Sequence, residues 1–336
     1  MLALVLVVAT VTVATALSRS RADGARVTQP NPPTLAPPSS PDASSSPASS
    51  SPASSSPAPS SSASSASRSA TGSARPSAAA IGPNRPNCAP KPSSCGLPDA
   101  TNTGVPAGTT LTVVNGDLSV TQAGAVIEGK DIRGCVDIEA PNVTIRRSKV
   151  SCTHFVVIAS FSGRYSGGGL LVEDVEIDCQ NTDGTGIGSY GLTVRRLNIH
   201  GCENGLDIDS DTTVVDSYIH DLYEGPAAHA DGIQLAGGAH ITISHNTIFN
   251  PGGTSAIISH PDANSDVLVT GNLLAGGTYT LYCPRDSSRN YRVIDNRFST
   301  LFSATSGEYG PWADCQKAAQ VSGNVWDSSL QPVPWD

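Results

Sequence analysis

Helical periodicity is missing from the repeating part of this 336-residue sequence: no stretch spaces its apolar residues as an amphipathic helix does. A basic stripe is missing as well. The formal net charge is −9 and no segment concentrates lysine and arginine, which argues against nucleic acid as a partner. None of the eight cysteines forms a Cys-x-x-Cys pair, so a thiolate metal site has little support. There is no leucine framework of the kind leucine-rich repeats need, and the repeat units are shorter than the ~40–45 residues of a four-stranded propeller blade.

The first quarter lacks the pattern of a globular domain. Leu2 to Leu17 is an apolar run of 16 residues, followed by Arg19, Arg21 and Arg26. A membrane-spanning helix wants about 20 apolar residues and a signal-peptide core about 7–15. Ala14-Thr-Ala16 offers a small-residue cleavage site. No positive n-region precedes the run, which places the expected translation start upstream, and arginines on the far side disfavour an uncleaved anchor with its N-terminus inside. Residues 1–27 are therefore expected to be a signal peptide, with an N-terminal membrane tether as the alternative; either exports the body. Residues 28–87, mostly Ser, Pro and Ala, are expected to be a disordered, extended linker, because too little apolar surface is available to offset the entropy of ordering.

From Cys88 to Asp336 the composition shifts to Gly, Val, Ile, Asn and Thr, enough for one sizeable domain. All eight cysteines lie in it, an even number that suits an oxidising compartment and hence a secreted or cell-surface protein. A monomer is expected. Short β-branched strand patterns recur, each marked by an apolar residue: Ile127, Ile145, Val172, Val194, Val214, Ile243, Val269, Val293 and Val321. Successive spacings of 18, 27, 22, 20, 29, 26, 24 and 28 residues are irregular but fit stacked coils. The expected fold is all-β, a parallel β-solenoid with one coil per repeat, closed by stacking.

Three residues after the marker, the last four coils carry Asn246, Asn272, Asn296 and Asn324. Stacked at about 4.8 Å, these would form an asparagine ladder, and Asn also tolerates the left-handed backbone of a tight turn. Cys179 and Cys202 follow equivalent strand ends in neighbouring coils, as do Cys135 and Cys152, which brings each pair within reach of a disulfide. Cys88–Cys95 and Cys283–Cys315 follow by elimination.

The part from Cys95 onward resembles secreted actinobacterial proteins of the right-handed parallel β-helix (pectin-lyase-like) superfamily. The matching stretches are Cys95-Gly-Leu-Pro-Asp-Ala-Thr-Asn-Thr-Gly-Val-Pro-Ala-Gly-Thr109, Asn142-Val-Thr-Ile-Arg146, His229-Ala-Asp-Gly-Ile-Gln234 and Gly277-Thr-Tyr-Thr-Leu-Tyr282. The resemblance implies a single-stranded right-handed coil. It leaves the reaction open, because that superfamily holds lyases, hydrolases, epimerases and non-enzymes. Asn181-Thr-Asp183 resembles the first acidic motif of polygalacturonases, but Glu203-Asn-Gly stands where a paired Asp-Asp is expected, and no Gly-His-Gly or Arg-Ile-Lys follows. The Trp-Ile-Asp-His strand of pectate lyases is absent too.

Aligning Asp183-Gly-Thr-Gly-Ile187, Asn204-Gly-Leu-Asp-Ile208 and Asp231-Gly-Ile-Gln-Leu235 predicts outward columns. One is Gly186, Asp207, Gln234, Ile258 and Tyr282; the next is Gly188, Asp209, Ala236, His260 and Pro284. At their entrance stand Asp183, Asn204, Asp231, Ser255 and Tyr279. The extra residues Tyr223 to His229 are expected to wall the groove. Asp183, Asp207, His229 and Asp231 are the candidate catalytic residues: two carboxyls for hydrolysis, or a base for elimination. Gln234, His260 and Tyr282 are candidate substrate contacts. Asp207 and Asp209 are candidate Ca²⁺ ligands, against a plain reading as solvated surface carboxylates. His200 and His220 are expected to stack at a turn, and His240 and His245 to be exposed. The expected activity is cleavage of an extracellular polysaccharide, as a lyase or glycoside hydrolase; the alternative is a non-catalytic glycan-binding or adhesion module. The acidic columns would repel a polyanion, so either a cation bridges it or the glycan is neutral.

Overall fold

Branched apolar residues alternating with polar ones, interrupted every few residues by Gly, Asn or Asp, favour short strands joined by tight turns. The computed structural model, which describes residues 85–160, 168–260, 264–285 and 288–334, is built from such strands. The expected signal or anchor and nearly all of the expected linker lie outside the described residues. Every pairing between named strands is parallel, and the strands fall into three columns that repeat in chain order, giving a solenoid-like stack. One column is a separate nine-stranded sheet running from Val126–Glu128 to Gln320–Ser322. The other two are joined where Glu176–Ser189 and Asn198–Ile208 run through both.

In the nine-stranded sheet all nine apolar markers fall into one register line, from Ile127 against Ile145 to Val293 against Val321. The seven inner markers are fully buried, and Ile127 and Val321 in the end coils are partly covered. Burial of each such side chain contributes roughly 1.5–3 kcal/mol, so uneven spacing in sequence becomes an even stack in space.

The residue two places after each marker (Gly129, Arg147, Asp174, Arg196, Asp216, His245, Gly271, Asp295 and Gly323) has a positive φ between 46° and 68°. The left-handed turn therefore sits one residue ahead of the asparagines, and the expectation that Asn itself would adopt it is corrected. The freed asparagines make the ladder: Asn246 Nδ2 donates to Asn272 Oδ1 at 3.0 Å, Asn272 Nδ2 to Asn296 Oδ1 at 2.9 Å, and Asn296 Nδ2 to Asn324 Oδ1 at 3.0 Å. Each Oδ1 also accepts the backbone N–H of the preceding asparagine, at 2.9–3.0 Å. Ser217 extends the line: its N–H donates to Asn246 Oδ1, and its Oγ accepts from Leu197 N–H.

Four disulfides join Cys88–Cys95, Cys135–Cys152, Cys179–Cys202 and Cys283–Cys315, with Cα separations of 5.8, 5.2, 4.7 and 4.8 Å. These are the pairs the sequence suggested, and no cysteine is free. They point to an oxidising, extracellular environment. The first staples a segment that packs Cys88, Ala89 and Leu97 against Phe249, Leu273 and Ala275. The packed part begins before Cys88: Arg297 donates to Arg85 O and to Asp327 Oδ1, both at 2.9 Å, and Asn87 N–H donates to Asp327 O.

Candidate functional site

The strand Asp231–Leu235 organises the site. Ile233 and Leu235 point into the core and are fully buried. Asp231 shares their parity and is only 2 % exposed, whereas Gln234 lies on the outward parity and is half-buried. At the entrance expected of it, Asp231 therefore stands at the rim of the core. Its carboxylate accepts from Ser255 Oγ at 2.5 Å and from Gln234 Nε2 at 2.9 Å, while its N–H donates to Asn204 Oδ1 at 3.0 Å. Burial pushes the Asp231 carboxyl up to about 6, helped by the nearby charge of Glu203 and opposed by the two hydrogen bonds and by His260.

Asn204, Asp231 and Ser255 are register partners, so the entrance column is real for these three. Asp183 is not in it. Register shifts totalling three residues between Asp178 and Thr185, where Gln180 and Asn181 take positive φ, set Thr185, two residues past Asp183, opposite Asn204. Asp183 is left exposed ahead of that line. For the same reason Gly188, not Gly186, faces Asp207, and Gly188 leaves the next column. An offset of two from the expected alignment keeps every side chain on its expected face. That is why the rest of the outward column stands as expected: Asp207, Gln234, Ile258 and Tyr282 are successive register partners.

Asp207 is half-buried on this outward face. Burial raises the proton affinity of its carboxyl, opposed by His260 and reinforced by Asp209. His260 is thus the histidine that bears on both Asp207 and Asp231. Asp209 is exposed, and its Oδ1 accepts from Ser210 N–H at 2.5 Å and Ser210 Oγ at 2.9 Å. Among the described residues, the three-ligand cluster of metal-binding type is Cys135, Cys152 and His154, and its two sulfurs are joined to each other. Asp207 and Asp209 belong to no such cluster.

The loop from Tyr223 to His229 lies beside the site and is tied to it through backbone. His229 N–H donates to Glu203 Oε1 at 2.7 Å, and Gly252 N–H donates to Glu224 Oε1 at 2.7 Å. The His229 side chain is exposed. Sequence reasoning misses Glu203 as a candidate, because in the repeat it reads only as a broken Asp-Asp pair. Its signal is its place directly before Asn204 in the repeated motif. Tyr282 packs edge-on against Tyr279 at 5.4 Å and accepts or donates a 2.8 Å bond with Thr278 Oγ1.

The remaining histidines have structural partners. His220 stacks on Tyr218 at 4.0 Å and contacts His200 at 5.5 Å, as expected of a turn stack. His240 is exposed; His245, expected to be exposed, is half-buried and bonds Asp216 Oδ1 at 2.5 Å. A cleft of about 440 Å³ lies on a different strand column, lined by Tyr218, His220, Phe249 and Phe302, and includes none of Asp207, Asp231, Gln234, His260 or Tyr282.

No protein-family model, curated protein or solved structure matches this chain.

Proposed function

We propose that the chain is a right-handed parallel β-helix of the pectin-lyase-like kind that cleaves an extracellular polysaccharide on the face bearing Asp207 and Gln234. The right hand is the one parallel crossovers adopt. The observation that carries the reading is Asp207: a half-buried carboxyl with raised proton affinity, on the outward side of its strand, flanked in register by Gln234. A carboxyl that keeps its proton nearer neutral pH can protonate the oxygen of a glycosidic bond as that bond breaks.

In this reading Asp207 is the acid. Asp231 is a positioning residue that fixes the Gln234 amide through the 2.9 Å bond, so that the rest of Gln234 meets sugar hydroxyls. Glu203, beside the His229 loop, is the second carboxyl and would activate the attacking water. His260 tunes both Asp207 and Asp231, His229 contacts substrate from the loop, and hydrolysis follows from the pair of carboxyls.

The test is a panel of plant, algal and bacterial wall polysaccharides, with and without Ca²⁺ chelation, following new reducing ends and unsaturated products together. Reducing ends alone are expected, and Asp207→Asn should lower their rate by about 10²–10⁴-fold while glycan affinity persists. Unsaturated products would replace hydrolysis with elimination. Silence across the panel with binding retained would favour a second reading, a non-catalytic glycan-binding module. The observation behind that reading is the 2 % exposure and full hydrogen bonding of Asp231.

A further inference from the structure

From the tyrosine cluster downstream of Asp207 and the charge around it, we infer that the glycan this face takes is uncharged and that Tyr279, Tyr282 and Tyr309 form the platform on which its sugar rings lie. The inference rests on the proposed function and adds the substrate class and the direction of the chain.

Direction comes from register. Gln234 pairs with Ile258 and Ile258 with Tyr282, so Tyr282 lies two coils beyond Gln234 and three beyond Asp207 on the same outward column. At about 4.8 Å per coil, that is roughly 10–14 Å along the stack, a span an oligosaccharide of a few sugars covers. Tyr279 begins the same strand, Tyr279–Tyr282, and its ring centroid is 5.4 Å from Tyr282 and 5.8 Å from Tyr309. Tyr309 is 65 % exposed, one of the few large apolar rings left in solvent. An aromatic body with a polar tip suits a ligand whose ring faces carry C–H groups and whose edges carry hydroxyls.

Charge selects among glycans. Glu203, Asp207, Asp209 and Asp231 bear on the site, and Glu308 is hydrogen-bonded to Tyr309 at the far end of the platform. The cation nearest in sequence to Tyr282 is paired: Arg285 Nε donates to Asp314 Oδ2 at 2.7 Å. A uronate polymer laid from Asp207 to Tyr309 would meet carboxylates at both ends, whereas an uncharged chain meets none of that repulsion.

The experiment uses the full chain carrying Asp207→Asn, so that binding is read without turnover. Calorimetric titrations employ uncharged β-1,4-linked gluco-, xylo- and manno-hexasaccharides and, as the charged probe, a galacturonate hexamer. At least one uncharged probe should bind, and more tightly than the galacturonate. Tyr309→Ala should weaken that binding about tenfold or more, the scale of losing one well-packed aromatic contact, while Tyr309→Trp retains it. Because Tyr309 is exposed, its removal leaves folding intact, which circular dichroism checks. Galacturonate bound best would overturn the inference and leave the polysaccharide reading standing. Unchanged affinity in Tyr309→Ala would overturn the platform alone. No binding to any probe, with wild-type silent on the wider panel, would remove both.

Discussion

Two strand columns of the same coils obey the same stacking rule with different fidelity. In the nine-stranded sheet, nine apolar markers align without a slip, although the loops between them vary by 11 residues in total coil length, from 18 to 29. In the site-bearing column the chain slips by three between Asp178 and Thr185. The difference lies in the residues at the strand ends. The marker strand ends in a left-handed residue in every coil, followed in the last four by a buried asparagine that locks one coil to the next through backbone as well as side chain. The site strand is entered through polar residues, Gln180 to Asp183, that bury little and can be accommodated in more than one register. The rigid column supports the stack, and the looser one is free to vary its polar residues.

The most damaging break in the rigid column should be Asn272→Ala. It leaves Asn246 N–H and Ile243 C=O without their side-chain partner and takes Asn272 from the ladder between Asn246 and Asn296. At about 1–3 kcal/mol for each buried group left unsatisfied, denaturant unfolding should show a loss of several kcal/mol. Ile243→Ala, in the marker line one coil earlier, should cost roughly 2–5 kcal/mol by the same measurement, as expected for a fully buried large-to-small change.

The site column should reveal itself through pH. Asp231 in the folded protein holds its proton to about 6, against an ordinary value of 3.8. Between those values the folded state binds a proton that the unfolded state has lost. Stability from this group is therefore full below 3.8 and falls as pH rises to about 6, by on the order of 3 kcal/mol. Unfolding curves at several pH values should show that decline, and Asp231→Asn should flatten it. A smaller effect tests the slip itself. Asp183→Ala, on the exposed side of the register shift, should change stability by no more than about 0.5 kcal/mol and leave the proposed polysaccharide cleavage unchanged. A large loss of either would return Asp183 to the entrance column.

Much of this was legible before any coordinates. A β-branched residue at the same offset in every repeat can be satisfied only by a common buried line, so the markers, the asparagine ladder and the cysteine pairs could be read from spacing. The Asp207, Gln234, Ile258 and Tyr282 column was also legible, because alternation fixes the face and an offset of two from the expected alignment preserves it. The location of Asp183 was not, since nothing in a run of Asn, Thr, Asp and Gly says where a bulge will absorb three residues.

The sequence by itself determined that the chain stacks parallel β coils, which cysteines meet, and that Asp207, Gln234, Ile258 and Tyr282 share one outward column, because period and spacing are local properties. Only the tertiary structure decided that the left-handed turn falls one residue before the asparagines, that Asp231 is turned to the rim of the core, and that Tyr309 joins Tyr279 and Tyr282 further along from the half-buried Asp207. Burial and register depend on what the neighbouring coils present, and that is set only when the coils meet.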